Sequence, residues 1–175
     1  SGERMAFVVE NRKDKRVTTL GDIVVVNAKD GSDRETLVRG AAGPDFIRWV
    51  GKHIYAMLGE VAGSHDVCRV DPEGGELLML SDGRGNCEYF VVAPNGEKVY
   101  YTSNDQDKLE ILGINSNGEG DRERVTDSEI LGSIYSISPN GRYLAGSIRD
   151  DNLNSSQICV MKIKEPNKRK ILTNL

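Results

Sequence analysis

No apolar stretch of this 175-residue chain approaches the roughly 20 residues that cross a bilayer, so insertion as a membrane helix is not expected. A basic excess is also missing. There are 23 Lys and Arg against 27 Asp and Glu, a net charge of −4, which speaks against a nucleic-acid partner. Cysteine is confined to Cys68, Cys87 and Cys159, and no C-x-x-C spacing occurs. An odd number excludes a fully paired disulfide framework. Cys68 and Cys159 fall in alternating apolar runs, where a thiol acts as a small buried hydrophobe. Three unpaired thiols favour a reducing compartment. The chain does not start with Met, and Ser1-Gly2 reads as a cloning remnant, so no leader can be read.

Motifs that carry chemistry are scarce as well. The chain has no G-x-S-x-G nucleophile elbow, no H-x-x-x-H pair and no phosphate-cradling glycine motif ahead of a helix. Ser64-His65-Asp66 enters a predicted strand, where neighbouring side chains point to opposite faces and do not converge as a triad. Asn115 to Asp121 resembles a calcium loop only faintly, since Thr126 stands where a bidentate Glu is needed. Asn154-Ser155-Ser156 is a glycosylation sequon, of consequence only in a secretory host. No catalytic residue, metal site or cofactor is therefore expected.

What the chain does have is glycine, 19 residues of it, set out at a regular interval. Gly51, Gly96 and Gly141 lie 45 residues apart, each between two short apolar runs, and Gly2 falls 49 before the first. Such a period marks a repeat array, and the apolar alternation selects a β-propeller over a helical solenoid. A second hairpin follows each Gly turn, centred on Asp30-Gly31, Glu73-Gly74-Gly75, Asn117-Gly118 and Pro166-Asn167. Gly and Asn there supply the positive φ that tight turns demand. Each unit reads as four antiparallel strands, A to D. The expected fold is all-β, about four propeller blades over residues 1–40, 41–83, 84–128 and 129–175. The first lacks its inner strand A, so the chain starts inside a blade and reads as a segment of a longer propeller.

Ser138-Pro139-Asn140-Gly141-Arg142 and Ala93-Pro94-Asn95-Gly96-Glu97 resemble the S-P-D-G-K turn of TolB-like propeller repeats, and Gly21 to Gly31 resembles that family's G-D-I-Y-V-V-N-A-D-G segment. The resemblance covers nearly the whole chain. Blade 2 departs from it, because Trp49-Val50-Gly51 replaces the Pro-containing turn and predicts a hairpin one residue shorter. The resemblance implies a propeller, an extracytoplasmic setting in some members, and either protein binding or gating of a prolyl oligopeptidase-class peptidase. A fold shared by such different proteins names no activity.

In propellers the A–B and C–D turns share one face, and the B–C and D–A connections share the other. Here the variable B–C segments Glu10 to Leu20 and Arg149 to Ser156 are the long ones. Variable loops on a rigid scaffold are where function is sought. Arg12, Lys15 and Arg16 make the first loop basic, Asp150 and Asp151 make the last acidic, and Asp105 and Asp107 add carboxylates between them. These seven are the candidate binding residues for a protein or peptide partner. Self-association through unclosed edges is a corollary. Lys164, Lys168, Arg169 and Lys170 fall in the terminal hairpin and read as solubilising, and Trp49 reads as packing.

Overall fold

The computed structural model describes residues 2–10, 21–41, 46–59, 64–75, 77–83, 86–105, 108–126, 132–150 and 155–173. The chain divides into two compact units, residues 1–83 and 84–175. Among the described residues there is no α-helix.

The first unit contains β1 (Arg4–Glu10), β2 (Gly21–Asn27), β3 (Glu35–Ala41), β4 (Ile47–Val50), β5 (His53–Gly59), β6 (His65–Val70) and β7 (Leu78–Met79). All pairings are antiparallel. The three strands β1-β2-β3 form one meander and β4-β5-β6-β7 the next, and a single bridge, Ala41 with Leu58, joins them into one sheet. The first meander has no inner strand among the described residues, as the glycine spacing predicts. β2 reads Gly-Asp-Ile-Val-Val-Val-Asn, a nearly continuous apolar run, and Ile23 to Val26 are buried accordingly. The core gathers Ile23, Val25, Val38, Ile54, Cys68 and Val70. Full burial of each such aliphatic side chain contributes about 1.5–3 kcal/mol.

The second unit holds two complete four-stranded sheets. One is β8 (Asn86–Val92), β9 (Lys98–Asp105), β10 (Lys108–Asn115) and β11 (Glu123–Arg124). The other is β12 (Ile134–Ile137), β13 (Tyr143–Asp150), β14 (Ser155–Lys162) and β15 (Glu165–Ile171). Val91, Tyr100 and Ile111 of the first pack with Ile134, Leu144, Cys159 and Met161 of the second in one core.

The recurrent turns close by one device. Asn27, Asp71, Asn95, Asn117 and Asn140 each accept, on the side-chain oxygen, the backbone N–H two residues on, at 2.9–3.1 Å. This Asx turn explains why Asn and Asp lead the hairpins. Gly96 and Gly141 then take φ of 74° and 67°, where a Cβ is costly.

Three expectations are corrected. The blade-2 hairpin pairs Val50 with His53 around Gly51-Lys52, two residues shorter than the turn closed by Ala93 and Lys98. Both ends of the Arg149 to Ser156 segment are strand, since Arg149 pairs with Ser156 and Asp150 with Ser155. The last hairpin turns at Ile163-Lys164 and not at Pro166-Asn167. Lys162 pairs with Glu165, whereas Met161 pairs with Arg169, so Pro166-Asn167 falls in the irregularity between them. Proline lacks the N–H that a regular ladder position requires.

Candidate functional site

Of the seven predicted binding residues, Arg12, Lys15, Arg16, Asp107 and Asp151 lie outside the described residues. Asp105 ends β9 opposite Lys108, and Asp150 ends β13 opposite Ser155. For these two the structure describes the backbone. Both are the last residues of B strands, where the sequence reading places them in the B–C loops.

The inner strands of the second unit present two tyrosines. Tyr89 of β8 and Tyr135 of β12 meet edge to face, ring centroids 5.2 Å apart and planes at 82°. Tyr89 is 36% and Tyr135 52% exposed, although both stand on the first strand of a sheet. A register irregularity in each strand re-aims the side chains, between Cys87 and Tyr89 and between Ile134 and Ser136. Bulges commonly do this. Tyr89 pairs with Thr102 and the Tyr135 hydroxyl shares a hydrogen bond of 3.0 Å with Ser147 Oγ. Thr102 and Ser147 each sit three residues before Asp105 and Asp150, about 10 Å along the strand.

The tyrosine pair is held from beneath. Ile134 N–H donates to Thr102 Oγ1 at 3.3 Å, a buried bond between the two sheets, and Ser133 Oγ donates to Glu88 at 3.4 Å. Gly132 and Gly146 permit the close crossing of β12 and β13. A Cβ on Gly132 would stand 1.6 Å from the Ser147 carbonyl oxygen, and one on Gly146 2.3 Å from that of Ser133. Ser147 N–H donates to Ser133 O at 2.9 Å across this contact. Two amphipathic rings can stack on apolar or aromatic side chains while their hydroxyls bind polar groups. Sequence reasoning passed over both tyrosines. Their signal was an aromatic at a strand-A position, seven residues before Gly96 and six before Gly141.

The first unit offers a different concavity. A cleft of about 760 Å³ is lined by Arg4, Met5, Trp49, His53, Asp71 and Glu73, among others, at the A–B and C–D turns. Trp49 is 38% exposed there, which corrects its reading as packing. Arg4 is already engaged, donating to Pro72 O at 2.9 Å and pairing with Glu73 at 3.2 Å and Glu35 at 3.5 Å. His53 Nδ1 is buried without a hydrogen-bond partner among the described residues. Burial first, then the Arg69 charge, holds the imidazole below its ordinary range.

Other sequence candidates resolve into scaffold. Asp66 Oδ1 accepts from Ser81 Oγ at 2.6 Å and Gly83 N–H at 3.0 Å, fastening the connection after β7. Thr126, buried, accepts from Ile111 N–H at 3.0 Å, and Asn115 donates to Glu119 O at 2.9 Å within the same turn. All three cysteines are free and buried, and burial pushes the Cys68 thiol up to about 12. Among the described residues no three His, Cys, Asp or Glu side chains gather as a metal set.

Solved structures place this geometry. A protein of Agrobacterium tumefaciens described as a TolB superposes with a TM-score of 0.72 at 17% identity, over 99% of this chain and 62% of its own. The fold is a TolB-like β-propeller. A chain of a nidogen/laminin complex matches at 0.67 and 15% identity, over 99% of this chain and 62% of its own. The Pyrococcus horikoshii acylaminoacyl peptidase matches at 0.67 and 14%, over 98% of this chain and 31% of its own. This TolB-like chain thus spans about three-fifths of the first two and a third of the last. No protein-family model and no curated protein sequence matches it.

Proposed function

We propose that this chain is a non-catalytic TolB-like propeller module that binds a protein or peptide through its B–C and D–A loop face. The observation that carries the reading is the exposed Tyr89–Tyr135 pair on the inner strands of the second unit. Partly exposed tyrosines with a polar tip are the residue type most enriched where proteins meet. The propeller match in a nidogen/laminin complex supports a macromolecular partner.

Selection of a displayed random-peptide library on the whole chain tests this. Peptides enriched on the wild type are expected to lose about tenfold or more in affinity on Tyr135→Ala or Tyr89→Ala. They should also weaken when Arg12, Lys15, Arg16, Asp105, Asp107, Asp150 and Asp151 are neutralised together. Undiminished binding to both variants would reject the loop-face reading.

A second reading, a piece of the propeller that gates a prolyl oligopeptidase-like serine peptidase, draws on the acylaminoacyl peptidase match. A G-x-S-x-G elbow further along the same reading frame would select it. Self-association through unpaired strand edges accompanies either reading. Among the described residues β1 pairs only with β2, which leaves its other edge without a strand partner there. Light scattering on dilution tests it, and a dilution-resistant monomer rejects it.

A further inference from the structure

The cavity at the opposite end of the second unit's sheets has features that peptide binding by the loop face does not use. About 350 Å³ in volume, it is lined by Tyr100, Gly141, Arg142, Lys162, Ile163 and Lys164. That is at the small end for ligand sites. Tyr100, from β9, forms part of its wall and is only 6% exposed, with Lys98 and Glu123 the charges that act on its hydroxyl. Its ring lies over Gly113, the residue paired with it on β10, where a Cβ would approach the ring to 3.1 Å. The absence of that Cβ lets the tyrosine lie in this position.

The other walls are cationic. Arg142 follows the Asn140-Gly141 turn, and its carbonyl accepts from Ile163 N–H at 3.0 Å, which fixes the Ile163-Lys164 turn against it. Of the three cations, Lys162 is engaged by Glu165, whose other oxygen holds Lys168 at 2.5 Å. Nearby carboxylates are committed as well. Glu123 pairs with Lys98 at 2.5 Å, and Glu97 accepts from Asn95 at 2.6 Å. Arg142 and Lys164 have no carboxylate partner among the described residues. A small concavity lined by a mostly buried tyrosine therefore holds two cations without a carboxylate partner among the described residues. Guanidinium and ammonium groups form a donor set that matches the oxygens of an anion.

We propose that this cavity binds a carboxylate or phosphate group, on a face of the module separate from its peptide-binding side. Arg142 supplies the forked donor and Lys164 a mobile point charge, with Tyr100 in the wall. The test is titration of the ¹⁵N-labelled chain at low ionic strength with inorganic phosphate, with glutarate and with a penta-glutamate peptide. Saturable shifts centred on Tyr100, Arg142 and Lys164 are expected. Response to the small anions identifies a free ligand, and response to the peptide alone identifies an acidic side chain as the source.

Arg142→Gln/Lys164→Gln is expected to weaken binding by at least about tenfold. Arg169→Gln/Lys170→Gln removes the same charge from β15, outside the cavity, and should change affinity less than about twofold. The site is disproved by no saturation with any of the three probes. Equal losses in the two double variants would also disprove it, since they would mean general charge attraction.

Discussion

The two units solve the same packing problem with different numbers of inner strands. In the first, β4 alone among the described residues occupies that position, and the two meanders meet edge to edge through the Ala41–Leu58 bridge. In the second, β8 and β12 are both present, the sheets stay separate, and Ile134 sits fully buried in a core built from both. The consequence appears on the exposed side. Where two inner strands lie together they display a tyrosine pair; where one stands alone, the described concavity opens instead at the turns around Trp49. The inner strand thus does two things, closing a core and presenting a surface, and the second depends on how closely its backbone can approach the neighbouring strand.

The largest effect should come from denying that approach. Gly132→Ala places a Cβ against a backbone carbonyl that cannot swing aside, at an expected cost of about 3 kcal/mol or more. Gly21→Ala is the counterpart in the first unit, where the Cβ would meet Val8 Cγ1 at 2.4 Å and Val9 O at 2.6 Å. Hydrogen exchange reads each unit separately. Gly132→Ala should deprotect β13 while β2 and β5 stay protected, and Gly21→Ala should do the reverse. Uniform loss of protection in both variants would show that the contrast between the units has no energetic counterpart.

A smaller effect follows from the buried bond between the sheets of the second unit. Thr102→Val keeps the shape but leaves the Ile134 N–H unpaired, which should cost about 1–3 kcal/mol by denaturant unfolding. Tyr135→Ala, exposed and needed only for the surface, should cost much less. If Thr102→Val is neutral, the sheets are held by apolar packing alone and the hydrogen bond is incidental.

The architecture was legible because it repeats. Glycine at a 45-residue interval and Asx residues beside it are demanded by local turn chemistry, and local chemistry is written in adjacent residues. The missing inner strand was readable for the same reason. The tyrosine pair was not, because its exposure depends on two register shifts, and a bulge changes which face a residue takes without changing the residue. Trp49 was misread because apolar character predicts burial only on average; here a turn two residues shorter leaves it on a cleft wall. The turn at Ile163-Lys164 was hidden by Pro166-Asn167, a dipeptide that suits a turn and here occupies a bulge instead.

The smallest expected effect tests whether the first unit's cleft is tuned at all. His53 contributes a buried, unpartnered Nδ1, and burial followed by the Arg69 charge lowers its proton affinity, with Asp71 acting weakly the other way. A folded-state value below the ordinary one near 6.5 means that the unfolded chain binds the proton more readily. The resulting stability is complete above about pH 6.5 and is lost as pH falls through that value towards the folded one. His53→Gln cannot titrate, so the wild type should lose stability relative to this variant between pH 8 and pH 5.5, measured as the difference of their melting temperatures. Acidification alone confounds many groups; the difference isolates one. A gap between the two proteins that stays constant across that range would mean that His53 changes its proton affinity little on folding, and that the cleft holds it as a filler of space rather than as a neutral imidazole.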